Sequence, residues 1–367
     1  MYWVQACTVQ CAVTRSAAQL RCGARRDRVH HVSERDGRST LTMTEIRASV
    51  LIPVKNGGAL LGEVLDAVLA QQAPWPFEVI VMDSGSTDGS VDLVRARGVR
   101  CETIAPEAFS HGRTRNQLAA LSGGAFLVFI TQDARPASTE WLVRLVEACD
   151  AEPDVAGAFG PHRAHPDARA ITRRELAEHF AGFGAEQSVV RLEDRARFAV
   201  DPGYRQWLHF FSNNNSCLRR SVWEQLPFPD VAFAEDQTWA LAAVEAGYGK
   251  AYAPEAAVYH SHDFGIWETL QRNFDEARSF QRYFGYDMQR SLVRAWASAA
   301  LLARRDAAWL RQAGQRGWGW MKKAVYMAGI ELARTSGQFL GTQHRRLPAW
   351  LLGMLSRDQG LQRGRSA

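Results

Sequence analysis

Acidic side chains stand at the ends of two segments that have the pattern of buried strands. Asp83 ends one segment and opens the polar stretch Asp83–Asp88, DSGSTD, and Asp133 follows the other in Thr131-Gln132-Asp133. In an open α/β sheet, ligands bind at the edge formed by the carboxyl ends of the strands. This pattern suits a nucleotide held on its base or ribose by an Asp, with its diphosphate neutralised by a metal at Asp133. The alternative is a turn and a capped helix after Asp83, and a turn capped by Asp133, with no ligand.

Three further groups of polar residues lie in the second half of the chain. Glu235 and Asp236 begin a helix after a loop, where the helix dipole favours the ionised carboxylates that a general base needs. His260 and His262 stand two residues apart, and the amides 213–215 suit the hydroxyls of a sugar. The structural alternatives are helix capping by both carboxylates, surface histidines and a plain turn.

Strand and helix patterns alternate around these residues. Apolar runs predict strands at 48–54, 79–82, 99–104, 125–130 and 155–159, with helical spacing of apolar residues between them. Such alternation predicts an α/β fold, a Rossmann-like, mainly parallel sheet with helices on both faces. The Gly-x-Gly-x-x-Gly signature is absent after the first strand, and so is the Walker loop, which argues against dehydrogenases and P-loop enzymes.

Charge divides the 367 residues into three parts. Residues 1–42 carry 7 basic residues (Lys and Arg) and 3 acidic residues (Asp and Glu). Residues 43–288 carry 23 basic and 33 acidic residues, and residues 289–367 carry 14 basic and 3 acidic residues. We interpret the first part as a disordered leader or a start-site artefact, the second as the globular domain and the third as a helical basic region. A basic region of this kind suggests an anionic surface as partner, and no nucleic-acid-binding module is visible.

The remaining composition narrows the protein class. An apolar content of 46% is typical of globular proteins, and no apolar run reaches the length of a membrane span. The six cysteines show neither a zinc-site pattern nor a disulfide framework, which predicts a reducing compartment.

Taken together, the motifs resemble family 2 glycosyltransferases of the GT-A fold over roughly residues 47–286. The resemblance is carried by Pro53-Val54-Lys55-Asn56, Asp83-Ser-Gly-Ser-Thr-Asp88, Gly112-Arg-Thr-Arg115-Asn116, Thr131-Gln132-Asp133, Glu235-Asp236 and His260-Ser-His262. It is greatest to the rhamnosyltransferase branch.

The resemblance implies roles for individual residues. Asp236 would be the catalytic base, with Glu235 in support, and Asp133 with His262 would hold a divalent cation, Mg²⁺ or Mn²⁺. Thr131 departs from the family pattern, since it stands where the first carboxylate of an Asp-x-Asp metal motif is expected. The implied substrate-binding residues are Pro53, Val54, Asn56, Asp83, Ser84, Arg115, Asn116, Gln132, Asn214 and Asn215.

The expected function is inverting transfer of a sugar, L-rhamnose from dTDP-L-rhamnose, to a glycan or lipid-linked acceptor. One alternative is a UDP-hexose-dependent transferase of the same fold. Another, motivated by Thr131, is a catalytically silent relative that acts as a membrane or assembly scaffold. We expect a cytoplasmic location with peripheral attachment to the inner face of the cell membrane, and no nucleic acid partner.

Overall fold

A computed structural model describes residues 45–357. Its strands are β1 (Ala48–Val54), β2 (Phe77–Asp83), β3 (Arg100–Thr103), β4 (Phe126–Ile130), β5 (Arg135–Pro136), β6 (Val155–Phe159), β7 (His162–Arg163), β8 (Ser188–Val190), β9 (Asn215–Arg219), β10 (Gly249–Tyr252) and β11 (Val258–Tyr259). Its helices are α1 (Gly58–Leu69), α2 (Ser90–Arg95), α3 (His111–Leu121), α4 (Trp141–Cys149), α5 (Ala170–Ala181), α6 (Arg195–Val200), α7 (Pro202–His209), α8 (Arg220–Trp223), α9 (Glu235–Glu245), α10 (Ile266–Phe284), α11 (Leu292–Gln312), α12 (Gly317–Thr342) and α13 (Ala349–Leu355). The leader predicted at residues 1–42 lies outside the described residues.

The main sheet has eight strands in the order β3-β2-β1-β4-β9-β6-β10-β8. Strands β3, β2, β1 and β4 are parallel neighbours, and β6 and β10 form another parallel pair. Strand β9 is antiparallel to both β4 and β6, and β8 is antiparallel to β10. The predicted mainly parallel α/β sheet is therefore confirmed, with two reversed strands that the chain pattern did not indicate.

Helices cover both faces of this sheet because its central strands are apolar on both sides. Along β1, Val50 and Ile52 pack into one core with Trp141, whereas Leu51 packs into the other with Phe129. A strand buried on both faces reads as a continuous apolar run rather than an alternating one, and β1 and β4 have this pattern.

A smaller sheet, in the order β5-β11-β7, brings distant segments together. In the antiparallel pair of β11 and β5, Val258 lies opposite Pro136 and Tyr259 lies opposite Arg135. Residues just before β5 are thereby placed beside residues just after β11, and this pairing positions the candidate site.

Helix α12 packs along α10 at unusually close range. A Cβ atom added to Gly337 would lie 2.4 Å from the carbonyl oxygen of Leu270, and one added to Gly341 would lie 2.4 Å from that of Phe274. Helix α12 is thus held against α10 by close backbone contact. Dividing the chain at 288/289 remains a proposal. Among the helices of residues 45–357, none combines the length and apolar character that crossing a bilayer requires.

We expect Gly341→Ala to lower the free energy of unfolding by roughly 1–3 kcal/mol, because the added methyl group forces α12 away from α10. Gly319→Ala is the matched control on the same helix. Nothing lies within 4 Å of a Cβ at Gly319, so this change should be neutral or stabilise by about 0.5–1 kcal/mol. Urea denaturation of the three proteins measures the difference. Equal losses in both variants would contradict the close packing.

Candidate active site

The ends of β1, β2 and β4 form the edge where the first predicted residues lie. Val54 at the end of β1 is paired with Asp83 at the end of β2. Beyond β4, the Gln132 side chain accepts a hydrogen bond from the Lys55 backbone N–H (2.7 Å) and donates one to the Lys55 carbonyl (3.0 Å). Gln132 therefore fastens the loops after β1 and β4 to each other. The substrate contact expected of Gln132 stays a prediction.

Asp83 organises the turn that follows it. Its carboxylate is 2% exposed and accepts hydrogen bonds from the backbone N–H of Gly85 (2.8 Å) and of Ser86 (2.9 Å), and from the Ser86 hydroxyl. The hydroxyl of Ser84 donates to the Val54 carbonyl (3.1 Å). These hydrogen bonds fix the conformation of the turn at the edge of the sheet. Replacement of Asp83 by Ala would remove the acceptor of three of them.

Asn56 and Pro53 line the same edge. Asn56 has a left-handed backbone (φ 50°), and its side-chain oxygen accepts a hydrogen bond from the Thr87 N–H (2.8 Å). Its side chain is exposed, while Pro53 is half-buried. The loops after β1 and β2 are therefore joined into one continuous surface.

Asp133 meets two histidines at the other end of this edge. Its Oδ2 lies 3.2 Å from Nε2 of His262 and 3.6 Å from Nε2 of His260. Burial alone would raise the pKa of Asp133, but hydrogen bonds from His260 and His262 outweigh it and hold that pKa well below its ordinary value. Sequence reasoning proposed Asp133 and His262 as ligands and left His260 out. The spacing of His260 and His262 was the available signal, since residues two apart in extended backbone point to the same side.

The donor set fits a divalent first-row cation. Ligand atoms about 2.1 Å from a metal at about 90–110° to each other lie roughly 3.0–3.4 Å apart. The separations around Asp133 are close to this range, and these three side chains form one of two possible metal-binding groups within the described residues. Thr131, in place of a first carboxylate, has a buried hydroxyl without a hydrogen-bond partner in the described part of the chain. Two imidazoles therefore lie within reach of Asp133 as candidate donors where the first carboxylate is missing.

Two adjacent carboxylates begin α9 and occupy different environments. Glu235 is buried and pairs with Arg115, with 3.1 Å between Oε1 and Nη1, and it accepts a hydrogen bond from the Asn213 side chain (3.1 Å). Asp236 accepts hydrogen bonds from the backbone N–H of Asn213 (3.1 Å) and of Gln237 (2.8 Å). The two side chains diverge as adjacent helical residues must, and the Asn213 segment connects them.

These environments separate the pKa values of the pair. Burial alone would raise the pKa of Glu235, but Arg115 and its other partners hold it below the ordinary value. Burial, and next the charge of Glu235, raise the pKa of Asp236 to about 7. The expectation that the helix N-terminus keeps both carboxylates ionised is confirmed in direction for Glu235. It is wrong for Asp236, because desolvation and a like charge outweigh the dipole.

Comparison with known proteins agrees with this geometry. Residues 49–226 match the family described as glycosyl transferase family 2. Over 236 residues the chain is 35% identical to the O-antigen chain rhamnosyltransferase RfbN of Salmonella typhimurium. The matched segment covers 63% of this chain and 71% of RfbN. It is 31% identical over 232 residues to WbaN of Salmonella anatum, also an O-antigen chain rhamnosyltransferase. This match covers 62% of this chain and 70% of WbaN.

The chain belongs to glycosyltransferase family 2. Its fold is similar to that of a mannosyltransferase from Pyrobaculum calidifontis solved with GDP-Man and Mn²⁺. The TM-score is 0.51 at 18% identity, over 79% of this chain and 86% of that one. The GT-A fold and the glycosyltransferase class inferred from the sequence are therefore confirmed.

Two predicted binding residues of this glycosyltransferase have structural partners instead. Asn116 accepts hydrogen bonds from the Trp223 side chain (2.9 Å) and the Phe228 N–H (3.0 Å), and donates one to the Phe228 carbonyl (2.8 Å). The fully buried Asn215 accepts from the Trp141 side chain (2.8 Å) and donates to the Ala256 carbonyl (2.7 Å). Their amides hold loops in place, and the substrate contact expected of them stays a prediction.

A cavity of about 140 Å³ lies beside the two histidines of the Asp133 cluster. His260 and His262 line it, and so do Asn214 and Phe233, which are close in the chain to Asn213 and Asp236. Its far wall comes from the later helices, through Arg272, Asn273 and Glu276 of α10 and Met327, Ile330 and Arg334 of α12. Sequence reasoning did not place any residue of these helices at the site, because their spacing reads only as helix packing.

The raised pKa of Asp236 predicts a pH dependence of stability. An unfolded Asp titrates near pH 3.9, and the folded residue titrates at about 7, so the folded state binds the extra proton between these values. Stability from this group is complete below about pH 4 and is lost as pH rises to about 7. We expect Asp236→Asn to remove that fall. Denaturant midpoints of both proteins at several pH values from 4 to 8 provide the measurement, and parallel curves would contradict the assignment.

Proposed function

We propose that this protein is an inverting glycosyltransferase that moves a sugar from a nucleotide-sugar donor to a hydroxyl group of a glycan or lipid-linked acceptor. The observation that carries the proposal is the cavity lined by His260 and His262 of the Asp133–His260–His262 cluster and by Asn214 and Phe233, which are near Asp236 in the chain. A sugar in that space would have a site for its diphosphate on one side and a candidate base on the other.

In this mechanism, the acceptor hydroxyl attacks the anomeric carbon opposite the departing diphosphate. The new bond joins the acceptor oxygen to that carbon, the bond from the carbon to the phosphate oxygen breaks, and the hydroxyl proton passes to Asp236. A base works best when its pKa is close to the operating pH, and that of Asp236 is about 7. Glu235 stays ionised against Arg115 and raises the basicity of its neighbour.

Asp133, His260 and His262 would hold a divalent cation. When bound, the cation supplies positive charge for the diphosphate leaving group. Imidazole nitrogen is a better ligand for first-row transition metals than for Mg²⁺, which prefers oxygen ligands. We therefore propose that Mn²⁺ is preferred over Mg²⁺. The scaffold alternative rested on the carboxylate missing at Thr131, and two nearby imidazoles provide donors in its place.

The donor is proposed to be dTDP-L-rhamnose. Support comes from the two O-antigen chain rhamnosyltransferases, which are 35% and 31% identical to this chain. A UDP-hexose remains the second candidate, because a validoxylamine A glucosyltransferase of Streptomyces hygroscopicus is also 29% identical over 226 residues. Pro53, Asn56 and the Asp83 turn are proposed to hold the base and ribose of either donor. For the location we propose the cytoplasm, at the inner face of the cell membrane.

Replacement of the base tests the proposed chemistry. We expect Asp236→Asn to lower kcat by about 10²-fold or more, because the amide cannot take the proton. The KM for the donor should change little. In the unaltered protein kcat should fall about tenfold per pH unit below pH 7, and this fall should be absent in the variant.

Transfer is measured with dTDP-L-rhamnose and with UDP-hexoses, and Glu235→Gln serves as the comparison. Near-normal turnover in Asp236→Asn would assign the proton transfer to another group. Turnover with neither donor class, despite retained nucleotide binding, would contradict both donor proposals.

Replacement of the histidines tests the metal site. We expect His260→Ala and His262→Ala each to weaken Mn²⁺ binding by about 10-fold or more, since each removes one of few protein ligands. His165→Ala is the control, because His165 lies in the neighbouring segment and outside the cluster.

A converse change probes the metal preference. Thr131→Asp supplies a second carboxylate and should raise the affinity for Mg²⁺ relative to Mn²⁺. Calorimetric titration of each cation, without donor, gives the affinities independently of activity. Unchanged Mn²⁺ affinity in both histidine variants would exclude the cluster as the metal site.

A further inference from the structure

Helix α12 has an exposed apolar stripe. Trp318, Val325 and Leu332 are 65%, 67% and 45% exposed. Their seven-residue spacing places them on one side of the helix. Large apolar residues scattered singly on a surface are ordinary, but a stripe along a helix marks a contact surface.

The neighbouring C-terminal helices are exposed in the same manner. On α11, Val293, Trp296 and Leu301 are exposed, and on α13 Trp350 and Met354 are exposed. The tryptophans of this region thus divide into two groups. Trp320 donates a hydrogen bond to the Ala307 carbonyl and packs between helices, whereas Trp296, Trp318 and Trp350 face outward.

Within residues 289–357, every exposed charged side chain is a Lys or an Arg. Both acidic residues of that range, Asp306 and Glu331, are buried. Asp306 pairs with Arg174 (2.6 Å), and Glu331 lies 3.2 Å from Arg334. The exposed Lys and Arg residues are Arg290, Arg294, Arg304, Arg311, Arg316, Lys322, Lys323, Arg345 and Arg346.

We propose that the outer surface of α11, α12 and α13 docks on an anionic lipid bilayer. Tryptophan and aliphatic side chains interleaved with Lys and Arg are the combination by which helices lie in a membrane interface, where the cations meet anionic headgroups. No helix among residues 45–357 is suited to crossing the bilayer, so these helices would lie along its surface.

The charge of the remaining chain gives this docking a direction. Residues 43–288 carry 33 acidic and 23 basic residues. An anionic surface therefore attracts the C-terminal helices and repels the rest of the protein, so that one side faces the lipid. This inference extends the proposed membrane location and is independent of the donor and acceptor. Failure of the glycosyl transfer proposal would leave it unaffected.

Vesicle sedimentation of the full-length protein tests the docking surface. Vesicles of phosphatidylcholine are compared with vesicles that also contain phosphatidylglycerol, at low and high salt. We expect binding only to the anionic vesicles, weakened by salt. The double variants Trp318→Ser/Val325→Ser and Lys322→Gln/Lys323→Gln should each bind about ten-fold less.

Helix α6 offers matched controls. Arg195 and Val200 are exposed there, so Arg195→Gln and Val200→Ser remove the same kinds of group from another surface and should leave binding unchanged. Circular dichroism and thermal melting of each variant confirm that its fold is retained.

Three results would overturn the proposal. They are equal binding to both kinds of vesicle, unaltered binding of both double variants, and a dimer in sedimentation velocity that Trp318→Ser/Val325→Ser dissociates. The last result would identify a second copy of the chain as the partner of this surface.

Discussion

A buried ion pair between Arg115 and Glu235 governs the electrostatics of the candidate active site. It joins α3 to α9, and its geometry keeps Glu235 charged although the residue is buried. Removing one member of such a pair is costly, because the other charge then remains desolvated and unpaired. The charge on Glu235 is also one of the two causes that raise the pKa of Asp236. One interaction therefore holds two elements together and adjusts the proposed base.

The candidate metal site, formed by Asp133, His260 and His262, depends on a different constraint, the pairing of very short strands. Strand β11 lies between β5 and β7, and its register with β5 places the segment after Tyr259 beside the segment before Arg135. Asp133 and the two histidines meet for this reason, although more than a hundred residues separate them in the chain. Two-residue strands leave almost no trace in a sequence, because no periodicity can develop over so short a length. The same pairing brings His260 close to Asp133, beside the position where Thr131 stands in place of a first carboxylate.

The C-terminal helices have two separate surfaces. Through Gly337 and Gly341, α12 lies against the backbone of α10, and through Met327 and Ile330 it forms part of the cavity wall. Its opposite side is apolar and exposed. A helix with apolar residues on more than one side cannot be assigned a single buried face from its spacing. Composition alone therefore indicated a basic helical region but not its contribution to the site.

Much of the architecture was determined by the sequence itself. Continuous apolar runs such as 48–54 and 155–159 predict doubly covered strands, and the polar residues that end them identify the functional edge, because both signals are local. The DSGSTD segment, Thr131-Gln132-Asp133 and the Glu235-Asp236 pair together indicated the family, which the comparisons confirm. Tertiary structure alone decided which polar groups remain available to a ligand. The amides of Asn116, Gln132 and Asn215 have protein partners, His260 lies beside Asp133, and burial beside Glu235 changes the pKa of Asp236. Hydrogen-bond partners, desolvation and like-charge proximity depend on the three-dimensional neighbours of a residue, and residue types along a chain do not specify those neighbours.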